Sequence, residues 1–208
     1  MLTLSQIIIG VNDLDAASER FRSMGFEVFD GGVHPAVGTA NRVIPLGAQY
    51  VELLGVVNRD EAAQNDYGRS LLRATVDGDR LVRWSLRTTD IEAVAARLGI
   101  GVERRRRERP DGEVLTWRAA GLDLALADAT LPFFMQWDRP EQYPGATPAT
   151  HDNGARGVTH LSVAPRDTER FARWTAGADV PLRVVDEATP GIWSVGIETN
   201  QGELTIRG

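Results

Sequence analysis

The stretch "QIIIGVNDLDAASERF", residues 6 to 21, shows the unit from which the chain is built. An apolar run with strand character leads to Asp13, whose short carboxylate suits the free N–H groups at the start of a helix. Apolar residues then recur at helical spacing until Gly25 supplies a stop. Two further segments align with this one without gaps, "RWSLRTTDIEAVAARL" from Arg83 and "HLSVAPRDTERFARWT" from His160. The sequence therefore predicts three copies of one unit.

Three strand-like runs, separated by turn residues, follow each helix. In the first unit these runs are "FEVFDGG", "TANRVIPLG" and "QYVELLGV". The unit is therefore β-α-β-β-β, and the predicted fold class is α+β. We expect units 1–58 and 80–138 to pair within residues 1–138, joined by a short helical linker. Residues 157–208 should form a third unit after a linker rich in proline, glycine and threonine.

Composition narrows the function classes. The chain has 208 residues, of which 42% are apolar, which is enough to bury a sizeable core. Its net charge of −6 argues against a nucleic-acid partner. No stretch approaches the roughly 20 apolar residues that span a bilayer, so we expect a cytoplasmic protein with no membrane partner. The absence of cysteine excludes disulfides, thiolate nucleophiles and cysteine-ligated zinc.

The repeated unit is accompanied by "HPAVGTANRVIPLGAQYVELLGV" from His34, "RPDGEVLTWR" from Arg109 and "HDNGA" from His151. With these features the chain resembles the vicinal oxygen chelate superfamily, and more closely its glyoxalase-like domain family. The resemblance implies an open half-barrel of curved sheet around a cavity. In metal-using members, the first and last strands of each unit supply one ligand apiece to a divalent ion. Members include lyases, dioxygenases, epimerases and metal-free binding proteins, so the fold does not name a reaction.

Strand parity predicts which side chains face this cavity, because alternate residues of a strand point to opposite sides. Gln6 faces the cavity from the first strand, and Glu52 faces it from the last strand of the same unit. In the second unit, the same reasoning places Arg83 and Gln136 on that face. Glu52 is the candidate catalytic residue, because a buried carboxylate is unfavourable unless something pairs with it or a site requires it.

Hairpin register adds further candidates for ligand binding. A two-residue turn that begins at Gly47 puts Asn41 on the same face of the sheet as Glu52. The same hairpin register in the second unit places Trp117 in the cavity, where its ring would form an apolar wall. His34 lies at the predicted mouth, although a turn residue bonded to the backbone is an equal alternative. Trp117 could also belong to the core. Such a pocket suits a small organic ligand with a carbonyl, carboxylate or hydroxyl group.

Metal binding has two alternatives. Chain order favours pairing of the first two units, which places the permanent cation of Arg83 among the metal-ligand positions. This cation would repel a divalent ion, and it could form an ion pair with Glu52 instead of the metal. This arrangement predicts no cofactor. Pairing of units one and three would instead offer Gln6, Glu52 and His160 as three metal ligands. For His160 itself, the sequence favours a buried structural histidine in the spare unit over a metal ligand.

Two functions therefore stay open. One is an enzyme of lyase or isomerase type in which Glu52 is the general base or a metal ligand, with a metal ion or Arg83 as the positive partner. The other is a non-catalytic protein that binds or sequesters a small molecule.

The run "ERRRRERP" at 103–110 is interpreted as a solvated edge strand before a turn, from which one arginine can reach the cavity rim.

The odd number of units suggests that the chain forms an oligomer. Pairing two units leaves the concave sheet of the third without a partner, so we expect a two-fold homodimer through that unit.

Overall fold

The computed structural model describes residues 1–109 and 112–208, so Pro110 and Asp111 of the predicted turn lie outside the described residues. The first unit consists of β1 (Leu2–Val11), α1 (Leu14–Ser23), β2 (Phe29–His34), β3 (Thr39–Leu46) and β4 (Gln49–Val56). Two short helices follow it, α2 (Arg59–Ala62) and α3 (Asp66–Ala74). The second unit consists of β5 (Arg80–Arg87), α4 (Ile91–Leu98), β6 (Val102–Glu108), β7 (Val114–Ala120), α5 (Leu122–Ala127) and β8 (Phe133–Trp137).

The third unit follows a linker that contains two short 3-10 turns, Pro140–Gln142 and Pro144–Ala146. It consists of β9 (Gly157–Ala164), α6 (Thr168–Thr175), β10 (Ala178–Asp179), β11 (Leu182–Val184), β12 (Gly191–Thr199) and β13 (Gly202–Arg207). Within the described ranges, every helix is too short or too polar to cross a membrane.

The three principal helices begin as the sequence predicts. Asp13, Asp90 and Asp167 each precede a helix, and each carboxylate accepts hydrogen bonds from backbone N–H groups of the first turn. These bonds satisfy donors that have no partner within the helix. Gly99 ends α4 with a φ of 69°, a left-handed conformation that glycine adopts without strain. The three copies are thus built on the same local signals.

The first two units share one sheet with the strand order β2-β3-β4-β1-β5-β8-β7-β6. Strands β1 and β5 pair antiparallel at its centre, and β10 adds a short parallel pairing to β1. The outermost strands β2 and β6 lie against each other, so the sheet curls almost into a closed barrel. The predicted fold class is confirmed, although the barrel is more nearly closed than expected.

The convex side of this sheet carries the main core. Ile7 and Ile9 pack there with Phe21 of α1. The same core extends to α6, because the rings of Trp84 and Phe171 lie 6.2 Å apart. The apolar face of the second sheet, whose strand order is β11-β9-β12-β13, completes it. One continuous core therefore joins the third unit to the barrel.

The opposite face of the second sheet is polar. It carries His160 and Ser194, with Glu203 at its edge. The expected homodimer rested on a concave apolar face that needs cover, and that premise is wrong because this face is hydrophilic. The oligomeric state itself stays a prediction.

The linker before the third unit closes one end of the barrel. The hydroxyl of Tyr143 donates to the carbonyl oxygens of Ser5 and Ala48, at 2.8 and 3.0 Å. Further along, His151 accepts a hydrogen bond from the backbone N–H of Glu27, and its Nε2 lies 2.6 Å from the carbonyl oxygen of Pro45. These bonds give His151 a structural role.

Candidate functional site

The barrel encloses a cavity of about 670 Å³ whose lining combines polar and apolar side chains. The polar lining includes Gln6, His34, Asn41, Glu52 and Arg107. The apolar lining includes Val43, Trp117, Phe133, Met135 and Trp137. Its size and its few polar groups on an otherwise apolar lining are typical of small-molecule sites.

Glu52 lies on β4 and is only 6% exposed. The β3–β4 hairpin has the predicted register, with Val43 opposite Glu52 and Asn41 opposite Leu54. Asn41 Nδ2 donates a 2.8 Å hydrogen bond to Glu52 Oε1. Burial raises the pKa of the Glu52 carboxyl, against the opposing effects of Arg107, of the Asn41 hydrogen bond and of Arg83. A buried carboxylate with this environment can exchange protons more readily near neutral pH than an exposed one.

Arg107 is a buried, charged cavity residue that the sequence analysis did not name individually. It is 6% exposed, and its Nη1 donates a 2.6 Å hydrogen bond to Asn41 Oδ1. Asn41 therefore links Arg107 on β6 to Glu52 on β4, across the line where the two ends of the sheet meet. The interpretation of this strand as a solvated edge is wrong for Arg107. It holds better for Arg105, which lies at the rim and pairs with Glu103.

The signal that identifies Arg107 is strand parity. In a run of four arginines on one strand, alternate side chains must face the same side, so Arg105 and Arg107 share the cavity face.

His34 lies at the end of β2 and lines the cavity. Its Nδ1 is 2.9 Å from the Thr39 hydroxyl. Burial, with a smaller contribution from the charge of Arg107, lowers the pKa of His34 to about 4. The imidazole is therefore neutral at neutral pH.

Gln6 faces the cavity from β1, where its Oε1 accepts a short hydrogen bond from the hydroxyl of Tyr50. Burial is the main reason that the pKa of Tyr50 lies well above its usual range. Tyr50 is thus a neutral hydrogen-bond donor, and the Gln6 oxygen is already engaged.

Arg83 does not contact Glu52 as the sequence analysis predicted. Its guanidinium is covered by Tyr67 of α3, with the central carbon 4.4 Å from the ring centre, and Nη1 donates to Ser70 at 3.1 Å. In the described residues no Arg83–Glu52 ion pair forms, so that prediction is wrong. Arg83, at 1% exposure, acts on Glu52 through its charge alone and does not line the cavity.

The side chain of Gln136 faces away from the cavity, so the prediction that it lines the cavity is wrong. Its Oε1 accepts a hydrogen bond from the backbone N–H of Ile91 at the start of α4. The cavity side of β8 carries Phe133, Met135 and Trp137 instead. Helix α5 lies between β7 and β8, so the two-residue hairpin of the first unit does not carry over to the second. Trp117 nevertheless lines the cavity, and its ring lies 5.2 Å from that of Trp137, its partner in the sheet.

The side chains at the metal-ligand positions do not fit a divalent ion. Gln6 is engaged by Tyr50, Arg83 is a cation, and Met135 takes the place expected for Gln136. His160 lies in the second sheet, with Nδ1 3.1 Å from Glu203 and Nε2 3.3 Å from Ser194. The alternative set of Gln6, Glu52 and His160 is therefore wrong. Across residues 1–109 and 112–208, no group of three His, Cys, Asp or Glu side chains could hold a metal.

Comparison with known proteins agrees with this architecture. A family model described as a glyoxalase-like domain matches residues 6–178. A hypothetical protein from Staphylococcus aureus shares the fold with a TM-score of 0.77 at 19% identity, over 97% of this chain and 93% of that one. No curated protein matches the chain.

Two solved structures of named enzymes match with lower TM-scores. Methylmalonyl-CoA epimerase from Mycobacterium tuberculosis matches 64% of this chain and 85% of its own, with 17% identity and a TM-score of 0.42. A mutant 4-hydroxymandelate synthase from Streptomyces coelicolor matches 98% of this chain and 61% of its own, with 14% identity and a TM-score of 0.48.

Proposed function

The chain belongs to the glyoxalase-like domain family, and from that premise we propose that it acts on a small carbonyl- or carboxylate-bearing molecule, with Glu52 as general base. The observation that carries the proposal is the buried Glu52 carboxyl, hydrogen-bonded to Asn41 inside a large cavity. A carboxylate in such a place is unfavourable for folding, and a role in proton transfer accounts for its presence.

The mixed lining of the cavity supports a ligand that has a polar functional group on an apolar body. Trp117, Phe133 and Trp137 offer flat apolar surface to its body. Asn41, Glu52 and Arg107 offer hydrogen bonds and charge to its functional group.

The reaction type that suits this arrangement is proton transfer beside a carbonyl. Glu52 would take a proton from carbon, and the electron pair of the C–H bond would form a carbon–carbon double bond while the π pair of the carbonyl group moves onto its oxygen. The proton would then return to the same or a neighbouring atom. The raised pKa of Glu52 makes it a stronger base than an exposed carboxylate. Arg107, rather than a metal ion, is the positive group that would stabilise the oxyanion.

The second candidate is the binding protein without chemistry. It is favoured by the extent of the aromatic surface and by the engagement of Gln6 with Tyr50, which leaves few groups free for catalysis. The two candidates predict the same ligand class and differ in whether the ligand exchanges a proton.

Proton exchange in heavy water separates them. A panel of 2-oxo acids and ketones is incubated with the protein in D₂O, and loss of the ¹H signal next to the carbonyl is followed by NMR. An enzyme should accelerate exchange, and Glu52→Gln should slow it by roughly 10²- to 10⁴-fold. Glu103→Gln is the matched control, because Glu103 also lines the cavity but pairs with Arg105 at the rim.

A binding protein should instead show a rise in melting temperature with some members of the panel and no exchange. Absence of both effects across the panel would contradict the proposal. The cytoplasmic location and the homodimer stay predictions from the sequence.

A further inference from the structure

Arg107 has hydrogen-bonding capacity that the protein does not use. Its Nη1 donates to Asn41, whereas Nε is buried and has no hydrogen-bond partner within the described residues. Nε and Nη2 form one edge of the planar guanidinium, which can bind both oxygens of a carboxylate at once. A buried donor without a hydrogen-bond partner destabilises the protein. A ligand that satisfies this edge therefore removes an existing penalty.

The other cations near the cavity are less suitable. Arg83 also has an unpartnered Nε and Nη2, but Tyr67 covers it and it does not line the cavity. Arg105 lines the cavity, but its side chain is 44% exposed and pairs with Glu103. In the described part of the chain, Arg107 combines burial, contact with the cavity and an Nε without a hydrogen-bond partner.

We propose that Arg107 binds the carboxylate of a small monocarboxylic acid through this edge, and that this binding makes Glu52 take up a proton. The inference rests on the proposed function, because it concerns the same cavity. An acid bound in this way keeps Glu52 protonated, so it is a ligand that blocks Glu52 as general base and not a substrate of the proposed reaction. The ligand class is a monocarboxylate whose apolar body packs on the rings of Trp117 and Phe133.

The coupling runs through Asn41. Its Oδ1 accepts from Arg107 and its Nδ2 donates to Glu52, so one amide orders both charged groups. The charge of Arg107 and the Asn41 hydrogen bond favour the ionised form of Glu52, whereas burial disfavours it and raises its pKa. A carboxylate on Arg107 offsets that positive charge. Ionised Glu52 then loses its main electrostatic support, and repulsion from the new anion adds to the effect.

The remaining groups that face Glu52 do not account for a proton taken up near neutral pH. Burial raises the pKa values of Tyr50 and Tyr67, so both hydroxyls stay neutral. The pKa of His34 is about 4 mainly because of burial, which an anion on Arg107 does not remove. Glu52 is thus the group expected to respond.

Isothermal titration calorimetry with two matched probes tests the proposal, using 3-phenylpropanoate and the neutral 3-phenylpropanamide. Measurements near pH 6 in buffers of different ionisation enthalpy give the number of protons taken up. Wild-type protein should bind the acid roughly 10- to 100-fold more tightly than the amide, with net proton uptake. Arg107→Gln should remove this preference, whereas the matched Arg105→Gln should change the affinity for the acid by less than about threefold. Glu52→Gln should abolish the proton uptake, and His34→Gln should retain it.

The outcomes separate this inference from the proposed function. Equal binding of acid and amide by the wild type would overturn the inference and leave the cavity as a ligand site. Binding of the acid without proton uptake would overturn the coupling to Glu52. Failure of both probes to bind would contradict the carboxylate site, and the proposed function would then depend on its own exchange experiment. The wild-type comparison remains decisive even if Arg107→Gln does not fold.

Discussion

His34 and Glu52 share one cavity, and burial drives their pKa values in opposite directions because it favours the neutral form of each. For His34, the pKa falls from 6.5 to about 4 on folding. The unfolded chain therefore binds a proton before the native protein does as the pH falls. Stability from this residue is present above pH 6.5 and is lost as the pH falls toward 4.

We predict that His34→Gln removes this loss. Between pH 7 and pH 4.5, the free energy of unfolding of the wild type should fall by on the order of 2 kcal/mol more than that of the variant. Urea denaturation at the two pH values measures the difference. Parallel changes in the two proteins would show that His34 is not held neutral by burial.

The two arginines near Glu52 should differ in how strongly they couple to it. Arg107 shares Asn41 with Glu52, whereas Arg83 is held by Tyr67 and Ser70. In double-mutant cycles of unfolding free energy, Arg107→Met with Glu52→Gln should give a coupling of about 1 to 3 kcal/mol. Arg83→Met with Glu52→Gln should give less than about 1 kcal/mol. The reverse order would restore the direct Arg83–Glu52 pair that the sequence suggested.

At the scale of elements, local signals predicted most of the first unit and less of the second. The capping aspartates and the two-residue turn at Gly47 act within a few residues, so they place Asn41 and Glu52 on the cavity face. The position of Gln136 depends on α5, whose insertion breaks the symmetry between the units. The contact of Tyr67 with Arg83 depends on how α3 packs against the sheet, and no local sequence pattern predicts that packing.

The linker before the third unit is an element whose role only the structure reveals. Tyr143 packs against the rings of Tyr50 and Trp137 at 5.6 and 6.0 Å and places its hydroxyl on two backbone carbonyl groups. Tyr143→Phe removes both hydrogen bonds and keeps the ring. We predict a loss of about 1 to 3 kcal/mol in the free energy of unfolding, measured by urea denaturation. A change within about 0.5 kcal/mol would mean that water replaces the hydroxyl at no penalty.

At the scale of the whole molecule, one core spans the barrel and the third unit. The rings of Phe134 and Trp174 lie 6.0 Å apart across this junction. We therefore predict a single cooperative unfolding transition by calorimetry. Trp174→Ala should lower the stability of the entire molecule by about 3 to 5 kcal/mol. Two separate transitions, with only one moved by the substitution, would show that the third unit folds independently.

The central claim is that the cavity holds Glu52 as a desolvated carboxyl supported by Arg107. Its most direct test is the pKa of Glu52 itself, obtained by ¹³C NMR of glutamate-labelled protein, with Glu52→Gln to assign the signal. We predict a pKa above the ordinary value of 4.5, and a further rise in Arg107→Gln because the stabilising charge is lost. A pKa at or below 4.5, or one that does not respond to Arg107→Gln, would contradict the account.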